Sequence, residues 1–346
     1  LKEKRRKSGR KMKNNLKTCI VWGAGSWGTS LAVHLSKKFE KVALWVFEEK
    51  QFKDMQKKRE NIDFLKGVKL PDNIALFHDF NKMPFEGDLW LSVTPTQFLR
   101  SLWEKIGSLC EKKTLIVSAS KGIENSTLLL PSEIISSFVK KTSIVVLSGP
   151  SFAKDFAKGD PTAVVFASED EKKARLTQEI FSFDNLRGYL SIDRKGVELG
   201  GALKNVIAIA AGISIGLGFG PNAVAAIITR GIREISRLGE ILGCKKETFS
   251  GLSGLGDIVL TCYGEESRNR SFGIRIGRGE KMEDILKSMK MVAEGAPTTL
   301  SLKNLLQLHK VDMPLSYAVY TILYENVSPK IALEKLLSRS LKWEIG

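Results

Sequence analysis

Lys204 and Asn205 lie inside an otherwise apolar, small-residue stretch, Gly200-Gly201-Ala202-Leu203-Lys204-Asn205-Val206-Ile207-Ala208. The next charge downstream is Arg230. A single lysine commonly snorkels to water from a helix face. Here the flanking glycines and alanines favour close approach by other backbone. Burial would then lower the lysine's pKa and let it exchange protons near neutral pH. Other polar residues have two readings each. Lys121, after a strand end and before Gly122, is either a solvated loop charge or part of a site. Asp257, after Gly251-Leu252-Ser253-Gly254-Leu255-Gly256, either caps a helix starting at Ile258 or pairs with a cation and orients it. Ser267-Arg268-Asn269-Arg270 is either surface charge or a clamp for phosphate or carboxylate. Glu294, with Gly295 after it and Val292 before it, either meets a ribose or amide or lies on the surface.

A second group of residues could hold a ligand through backbone. Cys19-Ile20-Val21-Trp22 runs into Gly23, Gly25 and Gly28 in G-x-G-x-x-G spacing, and a helical apolar pattern follows through Leu31, Ala32 and Leu35. Gly23 permits the turn, Gly25 lets a pyrophosphate approach the backbone, and Gly28 lets the helix pack on the strand. The helix start offers free N–H donors to phosphates. The spacing alone is weak, but a strand before it and a helix after it make a dinucleotide the expected ligand. In a hydride-transfer enzyme the proton donor would be a lysine. None of His34, His78 and His309 has a suggestively placed Asp beside it.

The elements that must position these groups fall into two halves. To about residue 192 short strands alternate with helical stretches, as a doubly wound parallel sheet requires. The expected strands after the first are Val42–Val46, Leu89–Val93, Leu115–Val117, Ile144–Leu147, Val164–Ala167 and Leu190–Ile192. Ligands bind outside the carboxyl ends of such strands. From about Gly196 the pattern is helical throughout. The expected division is a basic tail over 1–16, a Rossmann-type domain over 17–194 and an all-helical domain over 195–346. The uncharged run between Lys204 and Arg230 is long enough to cross a bilayer. Gly212, Gly216, Gly218, Gly220 and Pro221 interrupt it, so two buried helices joined by a turn are expected.

The 346 residues suit two domains. The net charge of +16 could suggest a nucleic-acid partner, but residues 1–17 carry nine Lys/Arg against one Glu. With half the excess in a tail and no basic–aromatic stripe, no specific nucleic-acid partner is expected. The tail has no apolar h-region and too few apolar residues to fold alone. Leu1 and Met12 suggest a start extended upstream. Cys19, Cys110, Cys244 and Cys262 form no C-x-x-C pair, which points to a reducing, cytoplasmic setting without a metal site.

Together, in order from Lys17 to about Glu344, these motifs resemble the biosynthetic, bacterial-type NAD(P)-dependent glycerol-3-phosphate dehydrogenases. The resemblance is carried by Gly-Ala-Gly-Ser-Trp-Gly-Thr, Lys121-Gly122-Ile123-Glu124, Ser148-Gly149-Pro150-Ser151-Phe152-Ala153, Leu203-Lys204-Asn205-Val206, Gly254-Leu255-Gly256-Asp257, Ser267-Arg268-Asn269-Arg270 and Glu294-Gly295. It implies reversible reduction of dihydroxyacetone phosphate to sn-glycerol 3-phosphate by NADH or NADPH, for phospholipid synthesis. It implies that Ser26, Trp27, Phe47, Ala153, Val292 and Glu294 meet the dinucleotide, with Lys121 at the join of the two ligands. Gly149 and Ser151 would line the substrate side. Lys204 would be the general acid/base, with Asn205 and Asp257 beside it. Ser267, Arg268 and Asn269 would hold the phosphate, Arg268 touching both ligands. Family members often have a basic residue near Phe47; here Glu48 and Glu49 follow instead, which favours NADH. The rivals are another two-domain dehydrogenase acting on a hydroxyacyl or sugar-acid substrate, or a redox-sensing or nucleic-acid-binding protein using the tail. A homodimer is left open.

Overall fold

In the computed structural model, residues 16–139, 143–289, 293–341 and 343–344 are described. The expected tail, Leu16 apart, and Val292 lie outside them. The first half builds β1 (Leu16–Trp22), α1 (Ser26–Leu35), β2 (Phe39–Trp45), α2 (Glu49–Lys58), β3 (Ile74–Phe77), β4 (Leu89–Ser92) and α3 (Thr96–Ile106). It continues through β5 (Leu115–Ser118), α4 (Pro131–Ser136), β6 (Ile144–Ser148), α5 (Ala153–Lys158), β7 (Thr162–Ala167), α6 (Glu171–Phe181) and β8 (Leu186–Ser191). One sheet results, in the order β3-β2-β1-β4-β5-β6-β7-β8. Strand order reverses beside β1, so the glycine loop opens at the switch point, where such sheets bind ligands.

Two sheet features differ from the sequence expectation. The sheet is not wholly parallel, because β7 runs antiparallel to β6. β3 was not foreseen, and β8 begins at Leu186 rather than Leu190. Both are edge strands with exposed positions: β3 is a run of only four residues, and in β8 Arg187 and Gly188 interrupt the apolar pattern before Leu190.

Beyond β8 the described chain is helical. α7 (Arg194–Gly216) and α8 (Pro221–Ile241) are joined by a glycine-rich turn, as expected. A π turn over Leu252–Gly256 leads directly into α9 (Asp257–Tyr263). Then come α10 (Arg268–Gly277), α11 (Met282–Ser288), α12 (Gly295–His309), α13 (Pro314–Tyr324) and α14 (Pro329–Leu337). α7 is long and apolar enough to cross a membrane, but it is the core of this half, wrapped by α8, α9, α10, α12 and α13. Its burial is why the chain could spend nearly all of it on apolar and small residues. Separate apolar clusters fill the two faces of the sheet.

Candidate active site

The glycine loop is built around main-chain contacts. Gly23 has φ 125°, a left-handed value that disfavours any side chain, and a Cβ there would sit 2.8 Å from the Val93 carbonyl oxygen. Gly25 differs: it has extended backbone, and a Cβ there would meet nothing within 4 Å. That open space before α1 is where the sequence reading puts a pyrophosphate. Buried Gln51 and Asn61 hold the loop, both donating to the Ala24 carbonyl oxygen, at 2.7 and 2.9 Å. Neither was singled out from sequence, because nothing in the motif signals residues so far downstream. Ser26 opens α1, and the Trp27 ring packs edge-on against Phe156. Ala153, the first residue of α5, accepts a hydrogen bond from the Ser30 hydroxyl at 3.1 Å. Phe47 lies just past β2, 68% exposed, its ring against Trp45.

Facing the strand ends is a buried charge cluster. Lys204 Nζ donates to Asp257 Oδ1 at 2.5 Å and to Thr261 Oγ1 at 3.0 Å. The other oxygen of Asp257 accepts from Lys121 Nζ at 2.7 Å. One carboxylate, 1% exposed, therefore joins the lysine of a β5 loop to the lysine of α7. The helix-cap reading does not hold, because Asp257 is already the first residue of α9 and its side chain makes no cap hydrogen bond. Thr261 escaped the sequence reading, although its spacing of four residues puts it on the same helix face as Asp257. Burial pulls the Lys204 pKa down to about 8, Lys121 adds to the lowering, and Asp257 opposes it. Gly149 and Ser151 are drawn in on the β6 side. The Gly149 carbonyl oxygen accepts from Lys121 Nζ at 3.4 Å and from the Ser151 hydroxyl at 3.0 Å.

The Ser-Arg-Asn segment lies at the start of α10. Ser267 caps that helix, its hydroxyl accepting from the Arg270 amide at 3.2 Å. Arg268 is the first helical residue and is exposed. Asn269 is buried and engaged: its amide nitrogen donates to Asn205 Oδ1 at 2.9 Å, and its own Oδ1 accepts from the Gly295 amide at 2.9 Å. This chain sets the clamp segment beside Lys204 and beside Glu294 at once. Helix packing does the rest. A Cβ on Gly216 would be 2.9 Å from the Gly277 Cα, and one on Gly273 would be 3.0 Å from the Gly212 Cα. α7 and α10 touch backbone to backbone, which only glycine allows.

Thr96, Gly122 and Glu294 converge between the halves. A Cβ on Gly122 would lie 2.7 Å from Thr96 Oγ1 and 3.3 Å from Glu294 Oε2. Both oxygens, and Ser148 Oγ near Gly201, are buried without a hydrogen-bond partner among the described residues. Burial pushes the Glu294 carboxyl up to about 7, against the pull of Arg268, Lys121 and Lys204. Orphaned buried polar atoms beside an open glycine loop fit a bound dinucleotide, which would complete their hydrogen bonds. Among the described residues no group of three or more His, Cys, Asp or Glu could hold a metal ion.

Comparison with known proteins bears on the same chain segments. Residues 18–174 match the model for the N-terminus of NAD-dependent glycerol-3-phosphate dehydrogenase, and residues 193–334 match that for its C-terminus. A protein named glycerol-3-phosphate dehydrogenase [NAD(P)+] from Syntrophotalea carbinolica is 47% identical over 94% of this chain and 98% of its own. One of the same name from Citrifermentans bemidjiense is 48% identical over the same shares. The crystal structure of glycerol-3-phosphate dehydrogenase from Coxiella burnetii superposes with a TM-score of 0.90 at 36% identity, covering 94% of this chain and 99% of that one. The chain belongs to the NAD-dependent glycerol-3-phosphate dehydrogenase family.

Proposed function

We propose that Lys204 is the acid–base of an NAD(P)-dependent glycerol-3-phosphate dehydrogenase that interconverts dihydroxyacetone phosphate and sn-glycerol 3-phosphate, a precursor of glycerophospholipids. The observation that carries the reading is the buried Lys204–Asp257–Lys121 cluster facing the ends of β5 and β6. The glycine loop would hold the pyrophosphate of a reduced dinucleotide, whose nicotinamide would supply the hydride for the carbonyl carbon. The negative charge that develops on the carbonyl oxygen is met by the Lys204 ammonium, which gives up one proton and completes the alcohol. In the reverse direction neutral Lys204 takes the hydroxyl proton. Asp257 orients Lys204 and holds its charge, while burial, helped by Lys121, brings its pKa within reach of neutrality.

Ser267, Arg268 and Asn269 we assign to the phosphate end, Arg268 by charge-assisted hydrogen bonds and Asn269 by seating the segment. Gly149 and Ser151 line the substrate. Gly23, Gly25, Ser26, Trp27, Gly28, Phe47, Ala153, Val292 and Glu294 we assign to the coenzyme. We take 17–194 as the coenzyme domain and 195–346 as the catalytic domain. That boundary falls at the first turn of α7, just after the chain leaves β8 at Ser191 and turns helical, which supports the division. Four free cysteines support a reducing cytoplasm as the working compartment.

The test is Lys204→Met, which keeps volume and removes the proton. Its kcat should fall by about 10²–10⁴-fold while NADH affinity, read by fluorescence, stays nearly unchanged. Lys204→Arg should fail too, because guanidinium does not release its proton near neutral pH. A Lys204→Met enzyme of near-normal kcat would transfer the role to Lys121.

A further inference from the structure

We propose that Phe152 is a positioning residue for the phosphate clamp, seating through Gly264 the turn that delivers Ser267 and Arg268 to the substrate. The proposal rests on the reading of Arg268 as the clamp. Gly264 follows α9 with φ −70° and ψ 133°, a conformation open to any residue, so backbone freedom does not explain the glycine. Room does. A Cβ there would overlap the edge of the Phe152 ring, 2.6 Å from its Cζ, and stand 2.7 Å from the Leu260 carbonyl oxygen. The ring of one half therefore occupies the space where the other half would carry a side chain.

Displacement at Gly264 has a direct route to the clamp. The Gly264 carbonyl oxygen accepts from the Ser267 amide at 3.2 Å, and the Ser267 hydroxyl caps the helix whose first residue is Arg268. The same turn is fastened again two residues further on, where Glu266 Oε1 accepts from Lys154 Nζ at 2.6 Å. Phe152 is itself anchored on the coenzyme side. Its carbonyl oxygen accepts from the Phe156 amide at 3.0 Å, and Phe156 packs against Trp27 of α1. Next to it, the Ala153 carbonyl oxygen takes the Ser30 hydroxyl of the same helix. Phe152 thus sets the distance between the glycine-loop helix and the residue that grips the phosphate.

The experiment compares wild type, Gly264→Ala, Phe152→Leu with Gly264→Ala, Phe152→Ala and Arg268→Ala in the full chain. Each is assayed with dihydroxyacetone phosphate, unphosphorylated dihydroxyacetone and NADH. Gly264→Ala should raise the KM for dihydroxyacetone phosphate about 10- to 100-fold, as expected of a displacement near 1 Å. The KM for NADH should stay within about twofold, and kcat/KM for dihydroxyacetone, which has no phosphate to misplace, should fall by less than about threefold. Phe152→Leu in the Gly264→Ala background makes room for the new methyl and should recover about tenfold of the loss. Overpacking that is merely structural would lower both ketones alike, and that result overturns the proposal. So does an unchanged KM for dihydroxyacetone phosphate, or a failure of the double variant to recover. If Gly264→Ala does not fold, Phe152→Ala decides: a raised KM for the phosphorylated ketone alone supports the seat, and an unchanged one overturns it. Arg268→Ala separates the two readings. If it weakens dihydroxyacetone phosphate while Gly264→Ala does not, the seat alone falls; if neither does, the clamp falls and takes the seat with it.

Discussion

Around the glycine loop the decisive atoms belong to the main chain. Gly25 leaves space, Gly23 turns, and Gln51 and Asn61 spend their side chains on the Ala24 carbonyl oxygen. Around Lys204 the decisive atoms belong to side chains, two lysines, a carboxylate and a hydroxyl brought together where α7 and α9 meet the loop after β5. The contrast has an energetic basis. Backbone N–H groups at a helix start can hold a phosphate with no buried charge of their own. Proton transfer instead needs an ionisable group whose pKa has been moved, and only burial with chosen neighbours moves it. A fold that does both keeps the first at the open rim of a sheet and the second buried where helices close over the strand ends. Substitutions should therefore act by volume in one half and by charge in the other.

The charge side of that contrast carries the largest expected effect. Asp257→Asn is nearly isosteric but removes the anion whose charge and hydrogen bond favour the protonated form of Lys204, and its amide nitrogen cannot accept from a lysine as the lost oxygen did. Reduction needs Lys204 protonated, so its rate falls as pH rises through the lysine's pKa, about 8 in the wild type. Oxidation needs it neutral, so kcat/KM for glycerol 3-phosphate rises through the same region. Losing an opposite charge at this distance should move both limbs down by about 1–3 pH units. At pH 7 the reduction kcat should drop by about 10²-fold or more, since orientation is lost as well. Profiles of normal midpoint in the variant would show that Asp257 does not govern Lys204.

Volume is tested by adding the same methyl in both halves. Gly25→Ala puts it into open space, so the melting temperature should not change, while NADH affinity should weaken by overpacking worth about 1–3 kcal/mol, roughly 5- to 150-fold. Gly273→Ala drives it into the backbone of α7, 3.0 Å from the Gly212 Cα, so it should cost about 1–3 kcal/mol of stability with no ligand present. Thermal scans with and without NADH separate the two. If Gly25→Ala lowers the unliganded melting temperature as much as Gly273→Ala, the glycine loop serves the fold rather than a ligand.

Legibility in the sequence followed the same division. The glycine spacing, the buried strands and the turn between α7 and α8 could be read because each has a local pattern of fixed period or spacing. Lys204 was legible for the opposite reason, as a charge violating its local pattern. Edge strands β3 and β8 were hidden or shortened by their exposed faces. Pairing of Lys204 and Lys121 with the two oxygens of Asp257 was not readable, since those residues are brought together only by the docking of α7 and α9 against the sheet. Asn269 shows the limit most clearly. Nothing in Ser267-Arg268-Asn269 signals that its side chain also spans Asn205 and Gly295, which are distant in sequence.

Coenzyme choice offers the smallest and finest test, because it depends on exposed charge. Past β2 stand Phe47, Glu48 and Glu49, with no cation at the Phe47 position. Glu49 is paired with Lys53 at 2.7 Å in the first turns of α2, and that hydrogen bond holds its carboxyl below the ordinary range. It therefore stays ionised at neutral pH, while its partner offsets part of its field. Charges this exposed are strongly screened by solvent, so NADH should be favoured over NADPH by only about two- to tenfold in kcat/KM. The preference should shrink with added salt, since ions screen exposed carboxylates from a 2′-phosphate. Glu48→Arg should erase or reverse it without changing the NADH kcat. A strong NADPH preference that fades with salt would mean that Lys50 or Lys53 reaches the 2′-phosphate. The sheet rim would then select its ligand by side-chain charge after all, and the contrast between the two halves would hold for the pyrophosphate but not for the ribose.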